Sequence, residues 1–203
     1  MNMKLQILGL ISVAVLMLTG MTSPAAAQSN MGMNSGMNMM SSMDQKFMMM
    51  AAKGGMMEIE MARLALQKST NDSVRQFAQK MIDDHTMAGD ELKQLAASKG
   101  VMLPMNVEAK HMAMMAKMQR MSGMNFDMMY VKEVGVKAHQ DMEKLYMKES
   151  MSGKDMETKA FAARTLPVVR MHLQMAREWM MSMKNMKNMK NGMSGMRSSG
   201  MQH

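Results

Sequence analysis

The sequence contains no cysteine. That excludes disulfides and thiolate metal sites, so packing alone must hold the fold. It also removes a cysteine nucleophile, and neither a Gly-rich phosphate loop nor a Gly-x-Ser-x-Gly elbow is present. Ser150-Met-Ser-Gly153 reads as a turn, and the chain is not expected to be an enzyme. Long apolar runs are also missing. The one candidate, Leu5 to Leu18, is 14 residues, short of the ~20 that a membrane helix needs. Acid is absent from both ends: all 17 Asp and Glu lie between Asp44 and Met181, beside 20 of the 25 Lys and Arg. The body is therefore near neutral, and the basic balance rests partly on Lys184, Lys187, Lys190 and Arg197. That basic tail has no aromatic to stack a base, which makes nucleic acid the weakest partner class.

Lys4, the apolar run, and small residues at Ala25 and Ala27 read as a secretory signal cleaved after Ala27. The expected mature chain is periplasmic, begins at Gln28 and has no transmembrane segment. Residues 28–43 lack charge and branched aliphatics, and are expected to form a disordered Met-rich tail. The domain is expected over 44–183, and residues 184–203 as a second, basic and disordered Met-rich tail.

Within the domain, Val74, Phe77, Ala78, Met81, His85, Ala88, Leu92 and Leu95 recur at steps of three and four, which marks one face of a helix. Asp72 and Ser73 can cap that helix, and Lys99-Gly100 can stop it. A first helix, from Asp44 to about Lys68, is joined to it by the tight turn Ser69 to Asp72 and so lies antiparallel. Gly54-Gly55 weakens this first helix by ~1 kcal/mol per Gly, tolerable where a neighbour packs closely. After Gly100 a connection carries a short helix, Val107 to about Met121. A long helix from Phe126 to about Ser150 follows, capped by Asn125. The last helix starts at Asp155 and runs to about Met183, with Pro167 expected to kink or split it. Four long helices with one long crossover define an all-α, ferritin-like four-helix bundle with a short crossover helix. Phe47, Phe77, Phe126 and Phe161 should close its two ends, with Met, Leu and Val in the middle.

The stretches GGMMEIEMARLALQKSTNDSVRQFAQKMIDDHTMAGDELKQLAASKG, FDMMYVKEVGVKAHQDMEKLYMKES and FAARTLPVVRMHLQMA resemble the bacterial domain of unknown function 4142 family. The linked DDH, FD, AH, LP and MHL elements carry that resemblance over about Asp44 to Met181. It implies export and a ferritin-like bundle, and no established activity. The Met-for-Leu body and the two Met-rich tails depart from the family pattern.

Two sets of residues are candidates for metal chemistry. His85 and His172 lie on inner stripes, and His139 lies at the edge of one. A di-iron carboxylate bundle needs Glu-x-x-His on two helices; Ile82 and Val169 stand where those Glu would be, so no di-iron centre is expected. Helix heights level Glu58 with His85 and Glu133 with His172, and set His139 and His172 about six residues, roughly 9 Å, apart. On that count His139 and His172 do not share one ion. Glu58, His85, Glu133, His139 and His172 form either a second metal site or a structural cluster, the simpler reading being neutral histidines hydrogen-bonded across helices.

The second set is sulfur. Met numbers 42 of 203 residues, and in the helices it serves as an apolar gap-filler. The end segments 28–43 and 182–203 have no core to fill, yet they hold 12 Met in 38 residues. Met31, Met33, Met37, Met39, Met40, Met183, Met186 and Met189 recur as Met-x-Met or Met-x-x-Met. On the crossover, His111, Met115 and Met118 share a face. Neutral thioethers select Cu(I) or Ag(I). Three functions compete: a soft-metal buffer or delivery protein for tolerance in the envelope, a methionine oxidant sink in envelope stress, and a helical interaction module without metal. Expected partners are metal ions, envelope metal-handling proteins, and an anionic surface for the basic tail.

Overall fold

The structure is a computed structural model that describes the backbone of residues 40–199 and side chains through 185. Residues 1–27, expected to be a secretory signal, and the tail positions Met31, Met33, Met37 and Met39 lie outside the described residues. So do the side chains of Met186 and Met189.

Helix α1 (Ser42–Lys68) starts at Ser41, whose hydroxyl accepts the Asp44 N–H at 3.2 Å. Asp44 is itself fully buried and accepts the backbone N–H groups of Lys154 (2.9 Å) and Asp155 (3.1 Å). The start of α1 is thus tied to the last turn of the bundle. Helix α2 (Asp72–Ser98) is capped by Asn71, one residue before the expected Asp72-Ser73 cap, because the Asn71 side chain accepts the Val74 N–H at 3.1 Å. Helix α3 (Ala109–Gln119) lies on the crossover and is held to α1 by Lys53–Glu108 (2.8 Å) and by Lys68 Nζ donating to the Gln119 carbonyl (2.8 Å). The third long helix is built of α4 (Gly123–Tyr130), a wide π-helical segment (Val131–Ala138) and α5 (His139–Ser152). Helix α6 (Met156–Ser199) closes the bundle.

Phe47 at the start of α1 meets Tyr146 near the end of α5, with centroids 5.1 Å apart. Phe77, early in α2, meets His172 of α6 at 6.2 Å. Adjacent helices therefore run antiparallel while α2 and α5 run the same way, and the crossover must travel the length of the bundle. That is the ferritin-like connection. The core divides into two apolar clusters. One gathers Phe47, Phe161, Leu92 and Met142, and the other Phe77, Phe126, Met61 and Met81. The phenylalanines pair by ends, as their positions on the helices imply.

Three expectations are corrected. Of the kink or split expected at Pro167, the split does not occur, since α6 continues through it. The same helix runs on to Ser199, so residues 184–199 have a helical backbone rather than a disordered one. Met183 is buried and belongs to the packed bundle. The middle of the bundle is not filled by Met, Leu and Val alone, since a polar layer separates the two clusters. Gly54 repays its helix cost as expected: a Cβ there would stand 2.8 Å from the Met142 sulfur.

Candidate metal centre

Each long helix contributes one side chain to the polar layer. Glu58 of α1 is fully buried, as are His139 of α5 and His172 of α6, and His85 of α2 is 7% exposed. One ligand atom from each histidine lies within 4.8 Å of those of the other two. Glu58 Oε2 stands 3.4 Å from His85 Nε2, and Glu58 Oε1 stands 3.4 Å from His139 Nδ1. These contacts lack hydrogen-bond alignment, which leaves both Glu58 oxygens and His85 Nε2 buried without partners among the described residues. Buried polar atoms left this way are costly and rare.

The two remaining rings are oriented by their outer nitrogens. His139 Nδ1 donates to the Val134 carbonyl at 2.9 Å, since a carbonyl only accepts. His172 Nε2 donates to Asp84 Oδ2 at 2.8 Å, and Lys80 Nζ pairs with the same oxygen at 3.1 Å. In the neutral rings this leaves His139 Nε2 and His172 Nδ1 as acceptors, and they face each other at 3.3 Å. Two lone pairs so placed repel unless a cation lies between them. Nitrogens each ~2.0 Å from one ion at a tetrahedral angle are themselves about 3.3 Å apart. A ligating imidazole whose second nitrogen donates to a carboxylate or a carbonyl is the usual arrangement at a metal.

Burial sets the protonation. It pushes the Glu58 carboxyl up to about 8. It pushes His85 well below the ordinary imidazole range, helped by the neighbouring His139 and His172. His139 is driven down to about 3 by burial, against the Val134 hydrogen bond. His172 is lowered by burial, with Asp84 opposing. Neutral imidazoles are the metal-ready form.

The helix-height count places Glu58 beside His85, as the structure does, and fails for His139 and His172. The connection 153–155 adds no rise. Counted from the ends of α5 and α6, the two histidines differ by about three residues, roughly 4.5 Å at ~1.5 Å per residue. Side chains lean toward their own N-termini, so across this antiparallel pair the gap closes. The π segment supplies the rest: its extra residue per turn rotates His139 from the edge of its stripe to full burial. Glu133, expected level with His172, instead pairs with Lys132 (3.6 Å) and Lys137 (3.5 Å) and stays outside the site. Asp84 carries no signal in the sequence beyond its place in the DDH element.

Of the sulfur candidates, Met118 is fully buried in the core, with Met115 partly buried against it. His111 is half-buried, and its Nδ1 has no partner among the described residues. Met40 packs against the cluster at the start of α1. Met118, Met40 and Met183 therefore have packing roles.

Fold and site define a ferritin-like helical bundle with a buried histidine–carboxylate cluster at its midpoint. The chain belongs to the family described as Domain of unknown function (DUF4142), whose model matches residues 29–179. Its fold is similar to the crystal structure of a DUF305 fragment from Deinococcus radiodurans, with a TM-score of 0.60 and 12% identity over 68% of this chain and 95% of that one. No curated protein matches the chain.

Proposed function

We propose that this is an exported copper-handling protein, in which His85, His139, His172 and Glu58 bind one Cu(I) ion and the Met-rich segments take further Cu(I) or Ag(I). The observation that carries the reading is the pair of facing acceptors, His139 Nε2 and His172 Nδ1, beside the unpartnered Glu58 and His85. Imidazole serves copper, zinc, iron and nickel, whereas thioether selects monovalent copper or silver, and copper is the metal common to both donor sets. Charge favours the monovalent ion. Cu(I) with ionised Glu58 leaves the fully buried group neutral, while a divalent ion leaves a positive charge with the half-buried Asp84 as the nearby acid among the described residues. The leader-like segment ending at Ala27 supports a periplasmic site of action, with buffering, delivery or tolerance as the role and envelope metal-handling proteins or an anionic surface as partners.

The test is the metal content of protein recovered from the periplasm of copper-supplemented cells and kept reduced. About one or more equivalents of copper per chain, on a chain whose intact mass begins at Gln28, is the expected result. Copper-free protein, or an intact mass beginning at Met1, contradicts the corresponding half of the reading.

A second reading, the oxidant sink, is favoured by exposed methionines scattered over the bundle, among them Met87 (73%), Met102 (90%) and Met156 (83%). It is indifferent to Met spacing and to the histidines. Sulfoxide mapping after mild peroxide, with and without bound Cu(I), separates the two: protection of particular methionines supports metal, and uniform oxidation supports the sink.

A further inference from the structure

A crevice between α1 and α2, of about 220 Å³, ends on His85 and Tyr146. Its walls include Ala51, Gly55, Ala88 and Gly89, and a Cβ built on Gly55 or Gly89 meets nothing within 4 Å. Both glycines therefore border open space, with room for a branched side chain such as leucine to occupy the passage. At its outer end the crevice shares Met56, Ile59 and Arg63 with a groove against the crossover, which is lined by Met105, Met112 and Met115. Met105 is 89% exposed and Met112 55% exposed. Packing does not explain apolar side chains left in water along one groove. The cations at the rim are already paired, Arg63 with Glu60 at 2.6 Å and Lys93 with Asp90 at 2.8 Å. Their repulsion toward a small cation is therefore reduced.

From this geometry we infer that the groove and crevice form the loading path of the buried centre: Met105, Met112 and Met115 collect Cu(I), and Met56 passes it inward to the unpartnered Nε2 of His85. The inference rests on the copper reading above. Thioethers hold the ion without a proton to displace and release it to imidazole, so the path runs from weaker, exposed donors to stronger, buried ones. His85 is the receiving ligand because its residue lines the crevice and its buried Nε2 has no hydrogen-bond partner among the described residues, whereas the outer nitrogens of His139 and His172 are engaged.

The test is the rate at which the full chain takes Cu(I) from a colorimetric chelator complex, followed by stopped flow. Gly89→Leu and, from the opposite wall, Gly55→Leu should each slow loading at least tenfold while the endpoint affinity stays within twofold. The triple change of Met105, Met112 and Met115 to Leu should slow it similarly. Unchanged rates in both plugged variants, with wild type loading normally, overturn the path and leave the copper reading standing. A wild type that takes up no Cu(I) overturns both. A metal-free measurement checks the passage separately: diethyl pyrocarbonate should modify His85 in the wild type and spare it in Gly89→Leu. Equal modification of the two proteins overturns the passage.

Discussion

Asp84 Oδ2 accepts the Nε2 proton of His172 at 2.8 Å, a link from α2 to α6 that fixes which nitrogen of the ring faces the other histidines. Removing this charge while keeping the shape should loosen the centre without unfolding the bundle. Asp84→Asn is expected to lower copper affinity about 10- to 100-fold, with little change in melting temperature, as read by chelator competition and circular dichroism. An unchanged affinity would say that Asp84 serves only its Lys80 contact.

Glu149 gives a pH prediction away from the centre. Burial, with the adjoining Asp44 carboxylate, pushes its carboxyl up to about 8. The folded-state value lies above the unfolded one, so the folded state binds the extra proton between about pH 4.5 and 8. The stabilisation is complete below about pH 4.5 and is lost as pH rises through 8. From pH 6 to pH 9 the melting temperature should fall, and Glu149→Gln, which keeps a hydrogen-bond donor, should flatten that fall. Parallel curves for the two proteins would contradict the assignment.

Met81 has no exposed surface and sits in the cluster with Phe77 and Tyr130. Met81→Lys puts an unpaired charge there and should cost roughly 3–5 kcal/mol, read as a lowered urea midpoint. A midpoint like that of the wild type would place residue 81 in water.

The tails are addressed by a different change. With every Met of 28–43 and 184–203 replaced by Leu, apolar bulk is kept and sulfur removed. Total Cu(I) stoichiometry should fall while the tightest equivalent is retained. Thioethers carry no proton near neutrality, so the lost equivalents should be those that persist at mildly acid pH. Equal stoichiometry in both proteins would remove the tails as ligands.

Much of the bundle is legible in the sequence because its signals are local. The Val74 to Leu95 stripe, the Ser69 to Asp72 turn and the long crossover specify helices and their order. Glu58 and His85 can be levelled because a short turn joins their helices. The pairing of His139 with His172 is not legible by the same count. Three turn residues, 153–155, add chain length without rise, and a π segment whose hydrogen bonds skip one residue further leaves no mark on a 3.6-residue period. Helix continuation past Met183 is missed for another reason: Met183, Met186, Met189, Met193 and Met196 do recur at steps of three and four, but the same spacing reads equally as a thioether ligand pattern, and nothing in the segment marks a partner for that face. Asp84 stays hidden because its role is to orient a ring on another helix, which sequence spacing does not encode.

The central claim is that the tightest copper ion is held by imidazole and carboxylate in the bundle and not by sulfur in the tails. X-ray absorption on full-length protein loaded with one equivalent of Cu(I) tests it most directly. Nitrogen and oxygen neighbours are expected around copper, with the imidazole scattering pattern, and that signal should be lost in a His139→Ala, His172→Ala double variant. A first equivalent surrounded by sulfur alone, unchanged in the double variant, would contradict the account.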